Sequence, residues 1–414
     1  MATGGSIKQQ GSKLKKKHFK PKYQKTKVFR ANEPLLSVFM WGINHTIVEQ
    51  THVNIPVMLM PEDFKAFSKV KVDNHHFNKE NLPSHFKVKE YCPLVFRNLR
   101  DRFGIDEGEY MNSLSKSQPV VVESPGRSGA HFYQSFDKMF IIKTLLSEEV
   151  EQMHVYLKQY HPYIVERHGK TLLPQYLGMY RLTVDGVETY LVVMRNVFSS
   201  PLSIHKKYDL KGSTVDRETR DKDRGKDVVT LKDNDFVKDG KVVHIGPEAK
   251  EKIMNILSYD IEFLCKLNVM DYSLLLGVHN CEKAEQERAE AMEADGSGGE
   301  NGGPLPTDED EDSAGSGLVA VVPTPPDSPQ TAVPPVVEPF DPDRDIYAIN
   351  SCEGAPKKEV YFMALVDVLT HYGMRKRTAQ AAKTVKHGSG AEISTVHPEQ
   401  YARRLMDFIS KIIQ

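Results

Sequence analysis

Residues 269 to 279, Val-Met-Asp-Tyr-Ser-Leu-Leu-Leu-Gly-Val-His, set one carboxylate, Asp271, at the mouth of an apolar run that reads as a buried strand. An acid in that place is either a cap or a working group, because catalytic side chains concentrate where a rigid scaffold carries a loop. A second run, Glu359 to Asp367, is also a buried strand and also ends on a carboxylate. From about residue 282 to 343 the composition collapses into Glu, Gly, Ser and Pro, which cannot bury enough apolar surface to offset the entropy of ordering. That stretch is expected to be a disordered insertion.

The chain has 414 residues and is 39% hydrophobic, enough for two or three domains with real cores. Cys92, Cys265, Cys281 and Cys352 show no Cys-x-x-Cys spacing, which argues against a structural zinc and a disulfide framework and suits a reducing compartment. With no apolar leader and no uncharged apolar run of 18 residues, neither a signal peptide nor a membrane span is expected, and membrane contact must be peripheral. The net charge of −1 hides an uneven spread. Ten Lys and Arg and no acid lie between Lys8 and Arg30, so residues 1–30 read as a disordered basic arm. Such an arm is a solvated tail, or it is drawn to nucleic acid or to an anionic leaflet, at about 1 kcal/mol per lysine held near the membrane.

Leu36, Met40, Ile43 and Ile47 predict an amphipathic helix over 34–50, and Tyr91 to Gly104 another. Between residues 52 and 117 no chemistry stands out. A small-residue turn with Gly126 and Gly129 precedes a β-branched strand, Lys138 to Lys143, and Ser147 before Glu148, Glu149 and Glu151 reads as a helix N-cap. Residues 179–184 and 187–194 alternate around Asp185-Gly186, a type I′ hairpin signal, so a small antiparallel lobe with one helix is expected. A second hairpin is predicted at Asp239-Gly240, a helix over 247–267, and a terminal helix over 398–413 with Tyr401, Leu405, Phe408 and Ile412 inward.

Phosphoryl transfer needs a backbone-lined loop and a lysine for the donor phosphates, a carboxylate for magnesium, and a group to orient or deprotonate the attacking hydroxyl. The glycine turn with Lys143 supplies the first, and Asp271 and Asp367 can supply the others. Between them Lys206-Lys-Tyr-Asp-Leu-Lys-Gly-Ser213, Arg217 and Lys232 gather cations around a tight turn that calls for an anion. The aromatic interleaving of a single-strand RNA binder is absent.

Asp209-Leu-Lys-Gly-Ser213, Met270-Asp-Tyr-Ser-Leu-Leu275, Ile-Ile-Lys143 and the run from Lys383 to Thr395 resemble the phosphatidylinositol phosphate kinases, in particular the type II branch that phosphorylates phosphatidylinositol 5-phosphate at the 4-hydroxyl. The resemblance extends from about residue 15 to the end, apart from the insertion. It implies an α+β, two-lobed fold distantly related to protein kinases, with an N-lobe over 31–195 and a C-lobe over 196–414. It further implies ATP and Mg²⁺, a homodimer or a heterodimer with related isoforms, and a basic face on an anionic membrane. Nucleic acid is not an expected partner, and the implied location is cytoplasmic and peripheral on membranes, with a nuclear pool.

By the same resemblance, Lys143, Gly126, Gly129, Met194, Asn196, Val197 and Phe198 hold the nucleotide. Asp271 is the catalytic acid, with Lys143 and Asp209 beside it, and Asp367 the metal ligand. Lys211, Arg217 and Lys232 grip the lipid phosphates, and an activation loop over 372–392 brings Ala379, Lys383 and Lys386 to the lipid. Alanine at 379 supports type II, where the type I branch has glutamate. Met194 stands where some type II members have threonine, which favours ATP over GTP. No His-Arg-Asp, Asp-Phe-Gly or Gly-x-Gly-x-x-Gly string of protein kinases occurs, which argues against a protein substrate. Which glutamate of Glu148, Glu149 and Glu151 pairs with Lys143 stays open. A non-catalytic phosphoinositide-binding scaffold is the competing function, and Thr324 and Ser328, each before a proline, are expected phosphorylation sites.

Overall fold

The computed structural model describes residues 29–73, 82–122, 129–198, 202–220, 229–296, 340–342, 344–372 and 396–414. Within them the expected α+β class is found, built on two sheets. The first contains β1 (Phe67–Asp73), β2 (His85–Tyr91), β3 (Val120–Val122), β4 (Phe132–Gln134), β5 (Phe140–Leu145), β6 (Tyr176–Val184) and β7 (Val187–Arg195) in the order β1-β2-β6-β7-β5-β4-β3, every pair antiparallel. The second contains β8 (Lys206–Leu210), β9 (Thr230–Lys232), β10 (Ser273–Asn280), β11 (Ala348–Asn350) and β12 (Glu359–Val366) in the order β11-β12-β10-β8-β9, with only β8 and β9 parallel.

The Asp185-Gly186 hairpin joins β6 to β7 as predicted. Asp185 and Gly186 have φ of 49° and 81°, the two left-handed residues that a type I′ turn demands. The first sheet is larger than expected, because β1 and β2 come from the stretch between residues 52 and 117 where no strand is predicted, and four helices accompany it. These are α1 (Pro34–Thr51), α2 (Pro93–Arg102), α3 (Glu107–Ser115) and α4 (Ser147–Glu166). Helix α4 is capped one residue earlier than predicted: Leu146 is its N-cap, and the Glu149 carboxylate accepts the Leu146 N–H at 2.8 Å.

Two other expectations are corrected. No hairpin forms at Asp239-Gly240; these residues end a short helix, α5 (Asp233–Lys238), and the chain then passes Val243 alongside Ile413 in a parallel bridge. The reason lies just upstream, where Asp235 accepts the Lys232 N–H at 3.1 Å and so caps a helix in place of a first hairpin strand. The insertion also begins with order. Cys281 to Gly296 forms helix α7, fastened at its start by Lys283 N–H to Asn280 Oδ1 at 2.9 Å and by the buried Ala284. The proline-directed sites Thr324 and Ser328 lie outside the described residues.

Helices α6 (Pro247–Lys266) and α8 (Pro398–Ile412) complete the fold. Tyr401, Leu405, Ile409 and Ile412 of α8 are buried at helical spacing, while Phe408 is half-buried. Tyr208, Leu210, Leu274, Leu276, Met363 and Leu365 on one face of the second sheet are fully buried. Burying each of the leucines and the methionine stabilises the fold by about 2 kcal/mol, which anchors the strands that carry Asp271 and Asp367.

Candidate active site

The opposite face of the second sheet is half open. Cross-strand partners share a face, and here the rows are Lys207, Gly277 and Phe362, then Asp209, Leu275 and Ala364, then Ser273 and Val366. Lys207, Asp209, Leu275 and Val366 are each part-exposed, in contrast to the sealed residues between them. Asp271 lies two residues before Ser273 and Asp367 one residue after its partner Val366, so both carboxylates leave the sheet at one end of the β10–β12 pair. Both are held in left-handed backbone, with φ of 67° and 61°. Non-glycine residues in that region carry strain that the surrounding structure must hold in place. Behind Asp271, Tyr272 is fully buried, and its carbonyl accepts the hydroxyl of Tyr401 on α8.

The first sheet contributes the facing surface. Lys143 lies opposite Val192, and Ile141 opposite Met194, so Lys143 and Met194 share a face on adjacent strands. The Lys143 ammonium, 16% exposed, reaches 3.8 Å from a carboxylate oxygen of Asp367, whose side chain is 60% exposed. The partner of Lys143 among the described residues is therefore Asp367, while Glu149 serves the α4 cap. Asn196, Val197 and Phe198 cross from one sheet to the other. Asn196 donates through its backbone to Met139 O at 2.9 Å and through its amide to Lys138 O at 2.7 Å, and its side-chain oxygen accepts Phe198 N–H at 3.2 Å. The Phe198 ring then lies over Gly277, where a Cβ would run into it. Gly129 is at φ 69°, whereas Gly126, Ala379, Lys383 and Lys386 lie outside the described residues.

The anion called for by the Asp-Leu-Lys-Gly-Ser turn is internal. Buried Asp233 accepts the N–H groups of Lys211, Gly212 and Ser213 at 2.9, 2.7 and 3.3 Å with one oxygen, and Arg217 Nε at 2.6 Å with the other. Arg217 continues to Asp209, donating to its carboxylate at 2.8 Å and to its carbonyl. Arg217, expected to grip the lipid phosphates, is buried and engaged by two carboxylates of the turn. Asp209, expected beside the chemistry, is turned to Arg217. Burial by itself would raise the Asp209 pKa, but Arg217 and Lys211 outweigh it and hold the carboxyl below its ordinary value. Lys232 faces Asp209 in the β8–β9 register.

The cation the turn does present is Lys211. Its ammonium donates to the Asp271 carbonyl at 2.6 Å and lies 3.9 Å from the Asp271 carboxylate. Two residues escaped the reading of the sequence. Asp233 looks there like an ordinary helix-start acid, and its three N–H donors lie 20 to 22 residues away. Lys207 is lost in a run of cations, yet burial lowers its pKa, and its ammonium lies 5.9 Å from the centre of the Phe198 ring on the half-open face.

Among the described residues no three His, Cys, Asp or Glu side chains form a ready-made metal cage. A magnesium ion is held by one or two carboxylates together with substrate phosphates, and the exposed carboxylate of Asp367 fits that demand. The arrangement of a phosphate-seeking lysine, a metal-competent acid and a cation-flanked acid suits transfer of a phosphoryl group to an alcohol.

A family profile described as Phosphatidylinositol-4-phosphate 5-Kinase matches residues 113–412. The chain is 57% identical to the phosphatidylinositol 5-phosphate 4-kinase type-2 alpha of Gallus gallus, over 99% of this chain and 98% of that protein. It is 57% identical to the Homo sapiens type-2 alpha protein over the same shares, and 57% identical to the Mus musculus type-2 beta protein over 96% of this chain and 94% of that one.

Proposed function

This chain belongs to the phosphatidylinositol phosphate kinase family, and we propose that it transfers the γ-phosphate of ATP to the 4-hydroxyl of phosphatidylinositol 5-phosphate, giving phosphatidylinositol 4,5-bisphosphate. The observation that carries this reading is the placing of Lys143 against Asp367, with Asp271 and Lys211 at the same end of the β10–β12 pair.

In this reading the lobes are residues 31–195 and 196–414, and the nucleotide base lies by Met194, Asn196, Val197 and Phe198. Lys143 neutralises the donor phosphates, a task the glycine turn with Gly126 and Gly129 shares. Asp367 holds magnesium, which when bound offsets charge on the transferred group. Asp271 orients the 4-hydroxyl and takes up its proton. Lys211 sits beside that carboxylate and meets the 5-phosphate, supported by Lys232. Asp209 and Arg217 act one step back, fixing the turn that carries Lys211. Ala379, Lys383 and Lys386 belong to the activation loop that meets the lipid.

The lipid is presented by an anionic, cytoplasm-facing membrane, on which the protein is peripheral and dimeric, with a nuclear pool. No helix among the described residues is long and apolar enough to cross a membrane. Support for an anionic surface comes from the β1–β2–β6 register, which sets Lys69, Lys89 and Arg181 in one row and Lys71 opposite Lys87 in the next. Arg181 has Glu188 at 3.0 Å and Lys71 has Asp73 at 3.6 Å, so the rows are offset in part from within, and Lys69, Lys87 and Lys89 carry the appeal to an anionic surface.

The test is radiolabel transfer from ATP to vesicles of phosphatidylinositol 5-phosphate by the wild-type chain, Lys143→Met and Asp367→Asn. No transfer above background by the wild-type chain sinks the enzyme reading and leaves the scaffold, and equal transfer by all three sinks the site reading. Strong preference for the 4-phosphate isomer contradicts the choice of acceptor.

A further inference from the structure

The connection between α4 and β6, residues 171–175, is gripped at every position. Asp260 of α6, fully buried, accepts Tyr163 Oη–H at 2.6 Å, Thr171 Oγ1–H at 2.7 Å and Leu172 N–H at 2.6 Å. Leu173 O accepts the Tyr347 hydroxyl at 3.2 Å, Pro174 O the Tyr160 hydroxyl at 2.7 Å, and the Gln175 side chain the Arg195 Nε–H at 2.7 Å. Asp260 is the one acidic group in this set, and it alone joins three donors from two elements.

The connection does more than join α4 to β6. Strand β11 pairs with β12 only as far as Phe362. Beyond it the free edge of β12 is taken by Tyr347 O, which accepts Met363 N–H at 3.0 Å, and by Leu172 O, which accepts Leu365 N–H at 2.7 Å. Leu172 therefore donates to Asp260 on α6 with its N–H and holds β12 with its carbonyl, two residues before Asp367.

We infer that Asp260 is a positioning residue for phosphoryl transfer: it locks the 171–172 backbone on which β12 hangs, and so keeps Asp367 in place opposite Lys143. The inference rests on the roles proposed above for Lys143 and Asp367. The isosteric Asp260→Asn change keeps the volume but turns an amide N–H toward one of the three donors. Register is loosened on the path to Asp367, and misplacement by about 1 Å costs a transfer reaction about a hundredfold.

The full chain is assayed with ATP and phosphatidylinositol 5-phosphate vesicles as wild type, Asp260→Asn, Thr171→Val and Tyr163→Phe, with Lys143→Met as control. Rates are normalised to nucleotide-binding sites counted by titration, so that unfolded protein does not enter kcat. The expected result is a fall in kcat of about tenfold or more for Asp260→Asn, a smaller fall for Thr171→Val, and a KM for ATP within about threefold of wild type. A role in stability alone lowers the melting temperature and the number of binding sites but leaves normalised kcat unchanged, and that outcome overturns the inference. If Asp260→Asn does not fold, wild-type kcat in both Thr171→Val and Tyr163→Phe overturns it as well. Loss of transfer in Lys143→Met with full kcat in the other variants defeats this inference alone, whereas full transfer by Lys143→Met defeats the site reading with it.

Discussion

Lys211 donates its ammonium to the backbone carbonyl of Asp271 at 2.6 Å while standing 3.9 Å from the carboxylate of the same residue. One cation thus steadies the left-handed backbone of the acid and also sets the charge beside the carboxylate proposed to meet the hydroxyl. Lys211→Met removes both effects. The expected fall in kcat is about 10²- to 10³-fold, the size seen when one preorganised electrostatic donor is lost. Initial rates on phosphatidylinositol 5-phosphate vesicles at saturating ATP check this, and a loss confined to KM for the lipid would reduce Lys211 to a binding role.

Asp233 closes the turn that carries Lys211, and its pairing with Arg217 is buried. Asp233→Asn takes away one of the two carboxylates that hold Arg217 and weakens the acceptor of three backbone N–H groups, while Asp209 remains as an ionic partner. Breaking a buried pair from one side destabilises by about 3–5 kcal/mol, and with Asp209 still paired the loss should fall at or below the lower end, read as a lower midpoint in urea unfolding. Arg217→Met in the same background should deepen the loss, because it takes the cation away from Asp209 as well.

Glu90, on β2, is buried and accepts both amide contacts of Gln50, at 2.8 and 2.9 Å. Burial is the main cause that raises its pKa from 4.5 to about 7, against the opposing pull of Arg100 and Gln50. A carboxyl whose folded pKa is raised binds its proton more tightly when folded, so its stabilising effect is complete below 4.5 and is lost as pH rises to about 7. Glu90→Gln should therefore match wild type near pH 4.5 and be more stable at pH 8, by up to about 3 kcal/mol. Denaturation midpoints at the two pH values measure the difference, and a variant less stable at pH 8 contradicts the sign.

Asp209 has the opposite sign. Its folded pKa lies below 3.8, so its contribution is present above that value and disappears as pH falls through the lower folded one. In Asp209→Asn the acid limb of the stability curve should be shallower below pH 4 than in wild type, as read from thermal melts across that range.

Gly277 leaves room for the Phe198 ring. Gly277→Ala forces the ring aside at a cost of about 1–3 kcal/mol, and on the proposal that Phe198 lies at the nucleotide, KM for ATP should rise with little change in KM for the lipid. Equal KM values for ATP in the two proteins would separate Phe198 from the nucleotide.

What the sequence made legible is local. Asp185-Gly186 announces its hairpin because only a few residue pairs tolerate two successive left-handed backbones. Asp271 and Asp367 stand out because each ends a mostly apolar strand and both come in order with Lys143 and the cationic turn between them. Strands β1 and β2 were hidden because Lys69, Lys71, Lys87 and Lys89 fill the outward positions of strands that are only partly covered. Asp239-Gly240 carries the same turn chemistry as Asp185-Gly186 but follows a capped helix, so the turn residues alone could not decide between hairpin and helix end. The roles of Asp233 and Asp260 depend on contacts across 16 to 22 and 88 to 97 residues respectively, and no short-range pattern encodes them.

Asp271 and Asp367 both sit where glycine would be more at ease. On the roles proposed for these acids, selection for thermal tolerance and selection for turnover pull in opposite directions at these two positions. A mutant library sorted only by heat resistance should accumulate Gly at 271 and 367, and the survivors it enriches there should be the ones least able to move a phosphate.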